Sequence, residues 1–174
     1  MPHLSIMIPV RGLLARGLLS KQAPAELVVA NNQRGSTMGY AEFIQVSITT
    51  DTDSVSVGLA SLQWGKFYEP GDMDKELTDD QIDAIMVSAD SVGQVFSCGR
   101  DDSPSGTEGQ FGIFYGGVQL GTFVWDAPYR GSTNTFNWTP IDASKLSVTV
   151  QGGSYSGSSI GPVTLAVTAV AAGG

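Results

Sequence analysis

The chain is poor in the residues that carry most covalent and metal chemistry. Cys98 is the only cysteine and His3 the only histidine among 174 residues. A single cysteine excludes an internal disulfide, so the fold does not depend on an oxidising compartment. With its one histidine at position 3, the body of the chain has no histidine for acid–base catalysis and no His-rich metal site. No apolar run approaches the roughly 18 residues of a membrane-spanning helix. Charge is also scarce, at 15% of residues, and basic charge is scarcest: nine Lys and Arg stand against seventeen Asp and Glu, a net charge of −8. Arg11, Arg16, Lys21 and Arg34 fall in residues 1–37, with Glu26 the one acid there. The rest therefore holds five basic and sixteen acidic residues, a net of −11. Such a body is repelled by phosphate backbones and by anionic lipid, which argues against nucleic acid as a partner.

What remains is apolar and small. Hydrophobic residues make up 41% of the chain, enough for a core, and 22 glycines with many Ser and Thr favour an all-β fold with tight turns. Residues 1–37 are basic, rich in Leu and Ala and poor in aromatics. Pro9 and Arg11 break their apolar run, so they make a poor secretory signal. They read as a disordered extension, as an amphipathic transit peptide, or as sequence upstream of a true start at Met38.

From residue 38 onward the pattern is that of one domain. Ile44, Val46 and Ile48 alternate with Gln45 and Ser47, the period of a half-buried strand. In "VSVGLASLQW" the apolar phase runs through Val55, Val57 and Leu59, then shifts to Leu62 and Trp64, which predicts a bulge near Ala60 and Ser61. "QFGIFYGGVQLGTFVW" predicts a hairpin turning at Gly116-Gly117. With "QVFSC", "TNTFNW", "KLSVTV" and "PVTLAVTAV" this gives about eight strands, and the spacing predicts a β-sandwich. One short helix is expected over "TDDQIDAIM", where Thr78 and Gln81 have capping-box spacing and Ile82, Ile85 and Met86 share a face.

Candidate chemistry is sparse. Asp72, Asp74 and Glu76 alternate in "GDMDKE" and offer oxygen ligands to calcium, but the remainder of a calcium loop is missing, and a solvated acidic edge is the favoured reading. "CGRDDSPSGTEG" lacks the spacing of a phosphate loop. Cys98 has no histidine to activate it and reads as a small buried hydrophobe. No pair of the body's acids stands out as a glycosidase pair.

The aromatics are more telling. Trp64, Tyr68, Trp125, Tyr129 and Trp138 sit near strand ends and turns. "WDAPYRGSTNTF" places Trp125 and Tyr129 beside Asp126, Pro128, Arg130 and Gly131. Such rings suit a boundary with one apolar and one wet side. For Trp138 and Phe111, within strands, packing over the ends of the core is the expected role; for Trp64 and Tyr129, beside turns and charges, binding is.

Three segments, "LQWGKFYEPGDMDKE", "CGRDDSPSGTEGQF" and "WDAPYRGSTNT", resemble the signature segments of the aegerolysins, in order and at nearly the family's separations. "MGYAEF" from Met38 resembles the usual amino terminus of that family. The resemblance runs from Met38 to the carboxyl end. It implies an actinoporin-like β-sandwich that binds membrane sphingolipids, notably ceramide phosphoethanolamine and sphingomyelin–cholesterol assemblies. Many members recruit a larger partner with a membrane-attack-complex/perforin (MACPF) domain, and some pairs are insecticidal. The resemblance implies no enzyme and no cofactor, and a protein released without a clear signal peptide that acts at a target cell membrane. By position, the lipid face would use Trp64, the 98–109 loop with Arg100, Asp101, Asp102 and Ser105, and the 125–132 segment with Trp125, Asp126, Tyr129 and Arg130. An ammonium headgroup would meet Asp101, Asp102 or Asp126 and the rings of Tyr129 or Trp64, and its phosphate would meet Arg100, Arg130 or Lys66. Four positions depart from the family: Ala127 and Tyr129 where Cys and Trp are usual, Ser105 where some sphingomyelin binders carry Glu, and Ser132 where many carry Lys. A carbohydrate- or calcium-binding sandwich is the rival reading, with Trp64 and Tyr129 stacking on sugar rings. A hydrolase is the third.

Overall fold

The computed structural model describes residues 40–170; the basic amino-terminal extension and the Met38 start lie outside them. Eleven strands and one short helix follow one another: β1 Phe43–Thr50, β2 Val55–Trp64, β3 Lys66–Glu69, β4 Asp72–Leu77, α1 Asp79–Asp83, β5 Met86–Val87, β6 Gly93–Cys98, β7 Thr107–Tyr115, β8 Val118–Ala127, β9 Thr135–Pro140, β10 Leu146–Gly152 and β11 Gly161–Ala169. They form two sheets, one in the order β10-β11-β1-β6-β3-β4 and one in the order β5-β2-β7-β8-β9. This is the all-β sandwich expected. All pairings are antiparallel except β1 with β11, where Ile44 meets Gly161 and Thr50 meets Val167 in parallel register.

The alternation read in the sequence sets which face turns inward. Ile44, Val46 and Ile48 of β1 are buried, as are Val163, Leu165 and Val167 of β11 beside them. Opposite them, Phe111, Phe123 and Trp125 of β7 and β8 pack with Phe67 at ring separations of 5.7–6.2 Å. The β7–β8 hairpin turns at Gly116 and Gly117, with φ of 57° and 81°. That two-residue turn needs positive φ at both centres, hence two glycines.

The bulge in β2 is present, and it corrects the inward assignment of Leu59. Cross-strand partners jump from Gly58–Gly112 to Ser61–Gln110. Leu59 takes φ of 57° and points outward, while Ala60 turns in. The amide of Ala60 donates to Asp83 Oδ1 of α1 at 2.8 Å instead of to a strand. The helix itself is shorter than predicted. Thr78 and Gln81 form the capping box, and Ile82 is buried, but the helix stops at Asp83. Met86 begins β5 and is exposed. A single turn of helix is marginal alone, and here packing onto β2 replaces the missing length.

Candidate functional site

The three signature segments and two others converge on one end of the sandwich. Trp64 ends β2 and lies opposite Glu108 near the start of β7; Glu108 lies opposite Asp126 near the end of β8; Asp126 lies opposite Thr135 at the start of β9. In the other sheet, Phe43 at the start of β1 pairs with Cys98 at the end of β6, which pairs with Lys66 at the start of β3. This rim therefore carries the 99–106 loop, the 128–134 segment and the 153–160 loop.

Trp64 is 57% exposed although it is one of the largest apolar side chains in the chain. Tyr129 is half-buried, with the Arg130 guanidinium 5.2 Å from its ring centre. Arg130 has φ of 53°, and its amide donates to Glu42 Oε1 at 3.1 Å. Glu42 is buried, and its Oε2 has no hydrogen-bond partner among the described residues. A buried carboxylate thus holds the Tyr129–Arg130 turn in a left-handed backbone that a non-glycine residue adopts only at a cost. Asp101 and Asp102 are exposed in the 99–106 loop, and Ser105 is half-buried there, its hydroxyl accepting from the Arg100 amide at 3.3 Å.

Three of the residues anticipated for lipid contact have other work. Trp125 is only 2% exposed, so it does not belong to the lipid face. Its ring lies against Gly109, where any Cβ would come within 2.8 Å of Cζ2, and its Nε1 donates to Thr107 Oγ1 at 3.0 Å. Thr107 Oγ1 in turn lies 2.6 Å from Ser97 Oγ. The turn-like residues after Trp125 concealed that β8 runs through to Ala127. Lys66 is 6% exposed and donates its Nζ to the Tyr40 hydroxyl at 2.9 Å, close over the Tyr40 ring. Burial alone would lower the Lys66 pKa, but the hydrogen bond to Tyr40, with further help from nearby groups, outweighs it and the pKa rises; the buried cation is held in place by Tyr40. Arg100 makes a two-pronged pair with Glu76, at 3.0 and 2.5 Å, and donates Nε to the Gly65 carbonyl. It fixes the 99–106 loop to β4, with three of its five N–H donors engaged.

Nor do Asp72, Asp74 and Glu76 gather around a point. Asp72 accepts from the Asp74 amide, Asp74 accepts from the Tyr40 hydroxyl at 2.7 Å, and Glu76 faces Arg100. Among the described residues no group of three His, Cys, Asp or Glu is placed to hold a metal ion. Cys98 is buried at the end of β6, and burial pushes its thiol up to about 12.

Glu108 escaped the sequence reading. It lies within the second signature segment without being singled out there, and only strand register places it between Trp64 and Asp126. Just inward of this row, a shallow hollow of about 350 Å³ opens on the outer face of the sheet, lined by Ser61, Gln63, Glu108, Gln110 and Asp126 among others.

Residues 41–170 match the family Aegerolysin. The chain belongs to the aegerolysin family. It is 35% identical over 104 residues to Asp-hemolysin of Aspergillus fumigatus, covering 59% of this chain and 75% of the relative. It is 30% identical over 133 residues to Aegerolysin Aa-Pri1 of Cyclocybe aegerita, covering 74% and 90%. Among solved structures, the RahU protein in complex with a Tris molecule superposes with a TM-score of 0.72 at 36% identity, covering 77% of this aegerolysin and 99% of RahU. Membership supports a lipid-binding, cytolysin-like role. No helix among the described residues is long and apolar enough to cross a membrane.

Proposed function

We propose that this aegerolysin uses the rim to bind a zwitterionic sphingolipid headgroup at a target cell membrane, and that it is the recognition half of a two-component cytolysin. The observation that carries the reading is the row Trp64–Glu108–Asp126. An indole more than half in water stands beside two carboxylates on neighbouring strands. An ammonium group satisfies both: it pairs with the carboxylates and lies against the indole face. The headgroup phosphate then lies toward Arg130, beside Tyr129. Asp101, Asp102 and Ser105 border the site from the 99–106 loop. With a body charge of −11, anionic lipid is a poor target, whereas ceramide phosphoethanolamine and sphingomyelin each bring the ammonium that the row lacks.

Nothing in this chemistry requires bond breaking, and the protein acts as a binding module and not an enzyme. Pore formation is assigned to a larger MACPF partner recruited after lipid recognition, and the cell type lysed follows from the lipid chosen. The test is co-sedimentation in a Tris-free buffer. Phosphatidylcholine–cholesterol vesicles are compared with the same vesicles containing ceramide phosphoethanolamine or sphingomyelin. Binding confined to a sphingolipid set supports the reading. Folded protein that binds none of them overturns it.

A further inference from the structure

The 153–160 loop, between β10 and β11, presents Tyr155 at the same rim. The ring is 62% exposed, comparable with Trp64. It does not hang free. It stacks on Phe136 at 4.3 Å with the planes 11° apart. Phe136 is itself buried and passes beneath Gly153, where a Cβ would meet the ring edge at 2.5 Å and where φ is 76°. The loop is also fastened to the third signature segment. The Asn134 amide donates to the Tyr155 carbonyl at 3.0 Å, and Gly157 donates to Ser132. The buried Asn134 side chain shares its Nδ2 hydrogens among the carbonyls of Ser154, Gly157 and Ser159 at 3.0–3.3 Å. A surface aromatic held by so many bonds gives up little conformational freedom on binding.

The surroundings identify what such a ring meets. After Lys145 the chain carries no charged residue at all, and Ser154, Ser156, Ser158 and Ser159 flank the ring with neutral hydroxyls. A segment of this kind enters the headgroup layer of a bilayer without desolvating a charge, and a tyrosine is among the side chains that prefer that layer. An anionic surface would instead be met by basic charge, which this loop lacks.

We propose that Tyr155 is a second membrane anchor, entering the same bilayer interface as Trp64 from the opposite sheet junction. The inference rests on the reading of the rim as the lipid-binding end. It makes attachment two-legged: the Trp64 row selects the headgroup, and Tyr155 adds depth without selectivity.

The experiment uses the vesicles described above. Tyr155→Ser is expected to lower affinity roughly tenfold on every vesicle the protein binds, without altering the order of lipid preference, and Tyr155→Phe to keep most of it. Tyr155→Cys, labelled with an environment-sensitive fluorophore, is expected to shift to the blue on binding. Val118→Cys, at the hairpin turn of the far end, is expected to stay in water. Labelling is selective because Cys98 is buried. If the unaltered protein binds vesicles while Tyr155→Ser binds equally and the label at 155 stays aqueous, the anchor is refuted and the headgroup site stands. If the unaltered protein binds no vesicle, both readings fall. A Tyr155→Ser protein that loses affinity while its label site stays aqueous also refutes the anchor and points to a contact between copies of the chain.

Discussion

Glu108 and Asp126 stand directly opposite each other on β7 and β8, two acids at adjoining positions on one face. Like charges so placed repel, at a cost of up to about 1 kcal/mol. A cation between them removes that cost. Glu108→Gln is therefore expected to stabilise the unliganded protein slightly, by about 0.5 kcal/mol in urea unfolding, while weakening vesicle binding. Greater stability with unchanged affinity would show that the pair does not hold the headgroup.

The two tryptophans of the signature segments should part company. Trp64→Ala removes an exposed ring and is expected to leave stability within about 0.5 kcal/mol of the original while abolishing most vesicle binding. Trp125→Ala opens a cavity beside Phe67, Phe111 and Phe123 and should cost about 3–5 kcal/mol. Paired denaturation and sedimentation measurements separate these outcomes. The assignment fails if Trp125→Ala proves stable, or if Trp64→Ala unfolds.

Thr107 is the polar hinge of the core at this end. Its hydroxyl takes the Trp125 indole N–H and meets Ser97. Thr107→Val keeps the shape and removes both bonds. We expect a loss of about 1–3 kcal/mol from the stranded indole donor, read by thermal or urea unfolding, with the same lipid preference retained by the folded fraction.

The Glu76–Arg100 pair makes the loop sensitive to acid. The guanidinium hydrogen bond holds the Glu76 carboxyl below its ordinary value, outweighing a smaller opposing effect of burial. A depressed carboxylate contributes stability that is present above its unfolded pKa and is lost as pH falls through the folded one. Both side chains are more than 40% exposed, so water and salt reduce the effect to below about 1 kcal/mol. The expected signature is a small loss of stability below about pH 4.5 that Glu76→Gln removes. An unaltered acid limb in Glu76→Gln would dismiss the pair as a pH-sensitive clamp.

Periodic features were legible in the sequence; register was not. The alternation in β1, the glycine turn of the β7–β8 hairpin and the bulge in β2 are local patterns, and each has its counterpart in the structure. Trp125 misled because Asp126 and Pro128 look like a turn, yet one face of β8 is core as far as Ala127. Lys66 looked available because nothing local shows that Tyr40, 26 positions earlier, covers it. Glu108, inside a signature segment, and Tyr155, outside all three, carry no local sign of a role. They gain meaning only when strand pairing places the first beside Trp64 and loop bonding fixes the second to residues 132–134.

The parallel pairing of β1 with β11 sets the order in which the molecule can be completed. β1 lies inside its sheet, between β6 and β11, so one of its edges has no partner until residues 161–169 have been made. Up to that point, a growing chain carries Ile44, Val46 and Ile48 on an open apolar strand, the kind of edge that pairs with other chains. Contacts this distant in sequence also form slowly. The sandwich is therefore finished only once β11 has been made, and a chain cut short before β11 should aggregate instead of folding into a smaller lipid binder.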